Sequence, residues 1–235
     1  MFGTWVNFFA ILIGSLIGLF LHRGISTKIT STLMKGLGLV IVLLGIEGSI
    51  QVTNWTMLIV CIAVGSFLGE WIDIEARLEK FGRFVESRVA KNAKGTFATG
   101  FVTASLLFGV GAMAIQGALN DGLFHDSTTL ITKSLLDFIG SIVFASTMGI
   151  GVMFSAFVIL IYQGSITLLS SFARPLLSDP IIFDMGIVGS VIIIGLGLKM
   201  MKISDIKVAN LIPAMFLPIV FHPLFDFIAT LWSRI

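Results

Sequence analysis

Long apolar stretches separated by short polar connections dominate the chain. A transmembrane helix needs roughly 20 mostly apolar residues. Eight stretches fit this length: 3–21, 33–52, 55–73, 97–119, 130–147, 151–171, 183–200 and 209–232. Only residues 146–151 divide the fifth from the sixth, and we predict a tight turn there because the whole run is too long for one span. The pattern predicts an all-α, polytopic membrane helix bundle of about eight transmembrane helices, forming one transmembrane domain over residues 1–235.

The segment 74–92 has a different pattern, that of an amphipathic helix. Ile74, Leu78, Phe81, Val85 and Val89 follow one another at steps of three and four residues, and charges of both signs surround them. This spacing places the apolar residues on one face of a helix. We therefore predict a helix that lies along the membrane interface. Two roles stay open for it: a structural connector, or a surface that docks a regulatory partner.

Composition and charge placement agree with a membrane protein and suggest its orientation. The chain has 235 residues, of which 56% are hydrophobic and only 12% charged, whereas soluble proteins are nearer a quarter charged. Twelve of the fifteen Lys and Arg residues lie in the connections at 22–35, 74–95 and 201–208 or, as Lys199, just before the last of these. The other three are Lys133, Arg174 and Arg234. The positive-inside rule then places the basic connections and helix 74–92 in the cytoplasm and both termini outside.

The dipeptide Gly-Ser recurs six times, which suggests an internal repeat. Four copies fall in the odd-numbered spans, and two of them extend to GSLIG and GSFLG, the small-residue faces that let helices approach closely. We predict that six glycines pack helix against helix: Gly14, Gly18, Gly65, Gly69, Gly140 and Gly189. The repeat unit would be a helical hairpin, or the halves 1–124 and 125–235, related in parallel. Chance similarity between glycine-rich segments is the alternative.

Polar residues recur at one depth in separate spans, and ionisable groups inside a bilayer are functional candidates by default. The candidate ligands for a solute or ion are Glu47, Gln116, Asn120, Asp137, Gln163 and His222. Four of these, Glu47, Gln116, Gln163 and His222, are candidates for equivalent positions of the repeat. Simpler interpretations stay open: Glu47 reaches the outer interface, and Asp137 pairs with Lys133 four residues earlier.

The glycine-dense segment 109–122 predicts either a discontinuous helix or an ordinary outer turn at Asn120-Asp121-Gly122. His222 lies between Pro218 and Pro223, which predicts a kinked or broken last span. No metal-binding spacing, nucleophile elbow or phosphate-binding loop occurs in the sequence, so we expect no enzyme, no metal and no cofactor. The sequence has no basic patch interleaved with aromatic residues, so we expect no binding of nucleic acid.

Three segments carry a resemblance to a known family: the opening GTWVNFFAILIGSLIG, LLFGVGAMAIQGALNDG at 106–122, and IIIGLGLKMMKISDIKVANLIPA at 192–214. They resemble the bacterial inner-membrane family catalogued as domain of unknown function 554, the YqgA-like proteins, over nearly the whole chain. The resemblance implies a small multi-span protein of the bacterial cytoplasmic (inner) membrane, of a kind described as transport proteins. It implies no substrate and no site residues.

The polar layer, the repeat and the glycine faces together favour a small secondary transporter. Its partners would be the lipid bilayer and a small polar or charged solute, with cation or proton coupling. Glu47 and Asp137 would bind the cation, and the remaining polar candidates would supply hydrogen bonds. The alternatives are an oligomeric channel or pore, which implies a homo-oligomer, and a membrane scaffold that transports nothing.

Overall fold

A computed structural model describes residues 1–22, 27–89 and 96–232 of the chain. Apart from short connections, these residues are helical. The helices are α1 (Phe2–His22), α2 (Thr27–Ser49), α3 (Trp55–Ile72), α4 (Ile74–Val89), α5 (Thr96–Gly109), α6 (Ala112–Leu123), α7 (Thr128–Met148), α8 (Gly151–Leu168), α9 (Ser170–Ala173), α10 (Asp179–Met200), α11 (Ile212–Phe216) and α12 (Pro218–Trp232), with a 3-10 turn at Val208–Leu211 before α11.

Six of the described helices are long and apolar enough to cross a membrane: α1, α2, α3, α7, α8 and α10. Two bent pairs raise the number to eight if each pair counts as one span. Helices α5 and α6 meet at an angle of 61°, and the segment 208–216 meets α12 at 43°. The prediction of an all-α polytopic bundle is confirmed. The discontinuous helix predicted within 109–122 is also present, because the break lies at Val110-Gly111 and Asn120-Asp121-Gly122 is still helical.

Local backbone chemistry sets several of the helix ends. The predicted turn between the fifth and sixth spans is formed by Gly149 and Ile150, and Gly149 has a φ of 79°, which favours glycine. At the start of α3, the side chain of Asn54 accepts a hydrogen bond of 3.0 Å from the backbone N–H of Met57 and caps the helix. Asp73 in the left-handed conformation then separates α3 from α4.

The spans pack as two groups of four. The first helix group comprises α1, α7, α8 and the bent span α5–α6, whereas the second comprises α2, α3, α10 and the bent span α11–α12. Within the groups, α1 lies along α7 and α2 lies along α10. Each group takes spans from both predicted repeat halves, 1–124 and 125–235, so those halves are not separate units in space. The internal repeat stays a prediction.

The glycines predicted to pack helices lie where two helices come close. A Cβ atom added at Gly14, Gly18, Gly65 or Gly69 would lie 2.5 Å or less from backbone atoms of the facing segment. At Gly69 the distance to the carbonyl oxygen of Asn210 would be 1.8 Å. The fit is looser at Gly140, where a Cβ would lie 3.3 Å from the ring of Phe108, and at Gly189 the neighbour is a side chain. Small residues at these contacts allow backbone-to-backbone packing in lipid.

Helix α4 confirms the predicted amphipathic segment but corrects its buried face. Residues 90–92 of the prediction, like the basic residues at 23, 91, 94 and 234, lie outside the described residues. Phe81, predicted on the apolar face, is exposed, although its ring lies near that of Phe101. Glu75 is buried instead, and Gly82 packs on Ala98 of α5. The reason is that α4 packs on α5 and on the turn before α11 through a face rotated toward Glu75.

Candidate functional site

A cavity of about 680 Å³ lies between the two helix groups. Its walls are α2, α7 and α10, and the break between α5 and α6 forms part of its lining. Most of the lining is apolar. The polar side chains that line it are those of Glu47, Gln51, Lys133, Asp137 and Ser190. Small-molecule sites have this composition, with apolar walls and a few polar groups that fix orientation.

The helix break gives the cavity an irregular backbone. Gly111 has a φ of 139°, a conformation that residues with a Cβ rarely adopt. Because Gly111 precedes α6 and lines the cavity, helix α6 begins at the cavity. No side chain of the described residues caps this helix end. Irregular backbone is tolerated at membrane depth where it is covered by protein or lines a cavity.

One wall of the cavity carries a buried ion pair. The Lys133 ammonium and the Asp137 carboxylate, one turn apart on α7, form a salt bridge and are both buried. Behind them the side-chain amide of Asn7 on α1 donates a hydrogen bond of 3.1 Å to Gln163 on α8 and another to Asp137. Asn7 and Gln163 are completely buried. This polar cluster joins three helices and neutralises the charge of Asp137.

Glu47 lines the same cavity from α2. Its side chain is exposed, and its carboxylate has no hydrogen-bond or ion-pair partner within the described residues; only its backbone carbonyl accepts a bond, from Gln51 at 3.4 Å. Since Lys133 and Asp137 balance each other, Glu47 leaves the cavity lining with one unbalanced negative charge. A carboxylate that lines a cavity without a counter-charge is a candidate ligand for a cation.

The six predicted ligand residues do not share one pocket. Glu47 and Asp137 line the cavity, and Gln163 lies behind Asp137. Gln116 is exposed on α6 and does not line the cavity. Asn120 is half-buried near the end of α6, where its backbone carbonyl accepts bonds from Phe124 and Asp126.

His222 contacts Asp184 instead. The four candidates for equivalent repeat positions, Glu47, Gln116, Gln163 and His222, therefore do not meet in one pocket. The reason is that their helices belong to different groups and present these positions in different directions.

Comparison with known proteins now assigns a family. The family model described as protein of unknown function (DUF554) matches residues 2–222. The chain belongs to this family. It is 36% identical over 222 residues to the uncharacterized membrane protein YdfK of Bacillus subtilis (strain 168), covering 93% of this chain and 94% of that protein. It is 28% identical over 220 residues to the uncharacterized protein YqgA of Escherichia coli (strain K12), covering 92% and 93%. No solved structure matches the chain.

The sequence pattern missed the aspartate that pairs with His222 in this DUF554 chain. Asp184 Oδ2 lies 2.7 Å from His222 Nδ1, and the contact joins α10 to α12. Asp184 is buried. The only available signal was a carboxylate within an apolar run, and the partner, 38 residues away, could not be read from local spacing.

A second missed cluster lies at the end of the bundle opposite Met1. The Glu75 carboxylate pairs with Lys199 and accepts a bond of 3.2 Å from the backbone N–H of Ala209. The side-chain oxygen of Asn210 accepts a hydrogen bond of 2.7 Å from the backbone N–H of Glu75. The side-chain amide of Asn210 donates another, also of 2.7 Å, to the Glu70 carboxylate. Glu70 also accepts a hydrogen bond from Lys207.

The hydrogen bond from Lys207 to Glu70 raises the pKa of the Lys207 ammonium above its usual value. We call these five residues, Glu70, Glu75, Lys199, Lys207 and Asn210, the latch cluster. The cluster holds the 3-10 turn before α11 against α3 and α4.

Proposed function

We propose that the protein is a small secondary transporter, in which the cavity between the helix groups binds a small polar solute and Glu47 binds a coupling cation or proton. The supporting observation is an unpaired carboxylate in a cavity that also contains a helix break. Irregular helix ends at a cavity between helix bundles are a recurring feature of membrane carriers. The proposal requires no catalysed reaction.

We further propose the bacterial cytoplasmic membrane as its location, with both termini outside. The basis is the positive-inside rule. Lys199 and Lys207 lie in the latch cluster, at the end opposite Met1, whereas the Met1 amine pairs with Asp121 at 2.9 Å. In this orientation the cavity reaches the outer side at Gln51, and the latch cluster faces the cytoplasm.

The test is solute accumulation in proteoliposomes. Vesicles with a proton gradient, and in parallel vesicles with a sodium gradient, are exposed to an equimolar mixture of amino acids, organic acids, amines and nucleosides, and their contents are measured by mass spectrometry. We expect saturable accumulation of one solute class by the wild type and its loss in Glu47→Gln. Glu79→Gln on α4, an exposed carboxylate outside the cavity, is the matched control and is expected to keep accumulation.

Three results would overturn the proposal. One is wild-type accumulation no greater than that of protein-free vesicles. The second is an equal effect of Glu47→Gln and Glu79→Gln. The third is an ohmic single-channel current in planar bilayers, which would identify a pore instead of a carrier.

A further inference from the structure

A second cavity, of about 190 Å³, lies between α5, α8 and α11. No charged side chain lines it, and its polar side chains are Ser105 on α5 and Tyr162 on α8. Both hydroxyl oxygens are buried, and within the described residues neither has a hydrogen-bond partner. A buried polar group without a partner costs about 1–3 kcal/mol. Two such hydroxyls belong to residues that line one apolar cavity, and each still has its hydrogen-bonding capacity unused.

The helix break separates this second cavity from the larger one. Val110 lines both cavities, Gly109 lines only the second, and Gly111 lines only the larger. Val110 is buried, and its side chain packs against Gly189 on α10. A Cβ added at Gly189 would lie 2.5 Å from Cγ1 of Val110. The larger cavity contains Gln51 at the end of the bundle near Met1, whereas the second contains Leu78 of α4 at the opposite end. The two cavities lie on opposite faces of α5, since Phe108 lines the larger and Gly109 lines the second, and Val110 separates them where α5 ends.

We propose that the second cavity is an inner binding subsite for a small uncharged solute with hydroxyl, carbonyl or amide groups, and that the Val110 side chain is the barrier between the two cavities. This inference rests on the proposed transport function. The uncharged lining sets the chemical class, because a bare ion buried without a counter-charge costs several kcal/mol. The hydroxyls of Ser105 and Tyr162 can each donate and accept a hydrogen bond. The volume accommodates about six water-sized groups.

The first test measures the barrier with glycerol and urea as probes. Stopped-flow light scattering follows the re-swelling of proteoliposomes after mixing with either probe. We expect Val110→Ala to speed re-swelling at least threefold over the wild type, and Tyr162→Phe in the Val110→Ala background to reverse most of that gain. Val152→Ala is the matched control, since it trims a fully buried valine that lines neither cavity. Choline chloride, a charged probe, is expected to show no acceleration.

The second test measures access to the inner subsite directly. In a Cys61→Ala background, Ser105→Cys is expected to react with methyl methanethiosulfonate, and the rate should rise when Val110→Ala is added. Ala104→Cys, a buried neighbour that lines neither cavity, should stay unlabelled.

The inference is overturned if Ser105→Cys and Ala104→Cys react equally. It is also overturned if Val110→Ala behaves like Val152→Ala, or if choline passes as fast as glycerol. The failure of this inference can be told apart from failure of the proposed function. Wild-type vesicles that accumulate a solute, with no effect of Val110→Ala or Tyr162→Phe on that accumulation, would refute only the inner subsite. Wild-type vesicles that accumulate nothing would refute the transport function itself.

Discussion

The contact between Gly69 and the latch cluster makes a sharp prediction about stability. In Gly69→Ala the new methyl carbon would lie 1.8 Å from the carbonyl oxygen of Asn210, and an ordinary contact requires at least 3.4 Å. The facing atom is backbone, so the 3-10 turn must move away from α3. That movement separates Asn210 from its two hydrogen-bond partners at 2.7 Å, the Glu75 N–H and the Glu70 carboxylate.

The expected cost follows from these contacts. Overpacking costs about 1–3 kcal/mol, and each hydrogen bond lost from a buried group costs about 1–3 kcal/mol. We therefore expect Gly69→Ala to lower the free energy of unfolding by roughly 4 kcal/mol. Gly36→Ala is the matched control, because Gly36 is exposed within α2 and an added Cβ meets no atom within 4 Å. There, alanine should stabilise the helix by roughly 0.5–1 kcal/mol.

The assay is unfolding of the detergent-solubilised protein by increasing mole fractions of sodium dodecyl sulfate, followed by tryptophan fluorescence. Both alanine variants and the wild type are measured in the same detergent. A free energy of unfolding for Gly69→Ala within about 0.5 kcal/mol of the Gly36→Ala value would refute the close packing of α3 against the 3-10 turn.

Two further predictions concern charged groups of α7 and its N-terminal connection. Asp137→Asn should lower the free energy of unfolding by about 3–5 kcal/mol because it leaves Lys133 buried without its counter-charge. The double variant Lys133→Met/Asp137→Leu should recover most of that loss. If both variants lose the same free energy in the same unfolding assay, the buried pair is contradicted. The hydroxyl and backbone N–H of Thr128 hold the pKa of the Asp126 carboxyl below its usual value. Its contribution to stability is therefore present above about pH 4 and lost as the pH falls further. The difference in free energy of unfolding between the wild type and Asp126→Asn should shrink from pH 6 to pH 3, and a constant difference would contradict this origin.

Local pattern was sufficient to predict the spans and several of their ends. Apolar length identified each membrane-spanning helix, because that length is set by the bilayer and not by the neighbours of the helix. The turn at Gly149 and the break at Gly111 could be expected for a similar reason, since glycine is the residue that adopts their backbone angles without strain.

Partners distant in the chain could not be predicted in this way. The burial of Glu75 depends on Lys199 and Asn210, which are 124 and 135 residues away. The periodicity within α4 carries no information about these distant partners, so it predicted that Glu75 faces solvent. For the same reason, the sequence could not show which of the polar candidates share a pocket, because that depends on how each helix is rotated. Helix orientation is a property of the packed groups, whereas hydropathy reports only span length.

The pairing of α1 with α7 has a consequence for synthesis. The notches at Gly14 and Gly18 are filled by the backbone of α7, which begins at Thr128. At ribosomal rates of about 5–20 residues per second, the first span waits roughly 5 to 20 seconds for this neighbour. During that interval lipid chains or the insertion machinery must occupy the exposed glycine surface. The nascent protein therefore completes its first helix group only when most of the polypeptide has already entered the membrane.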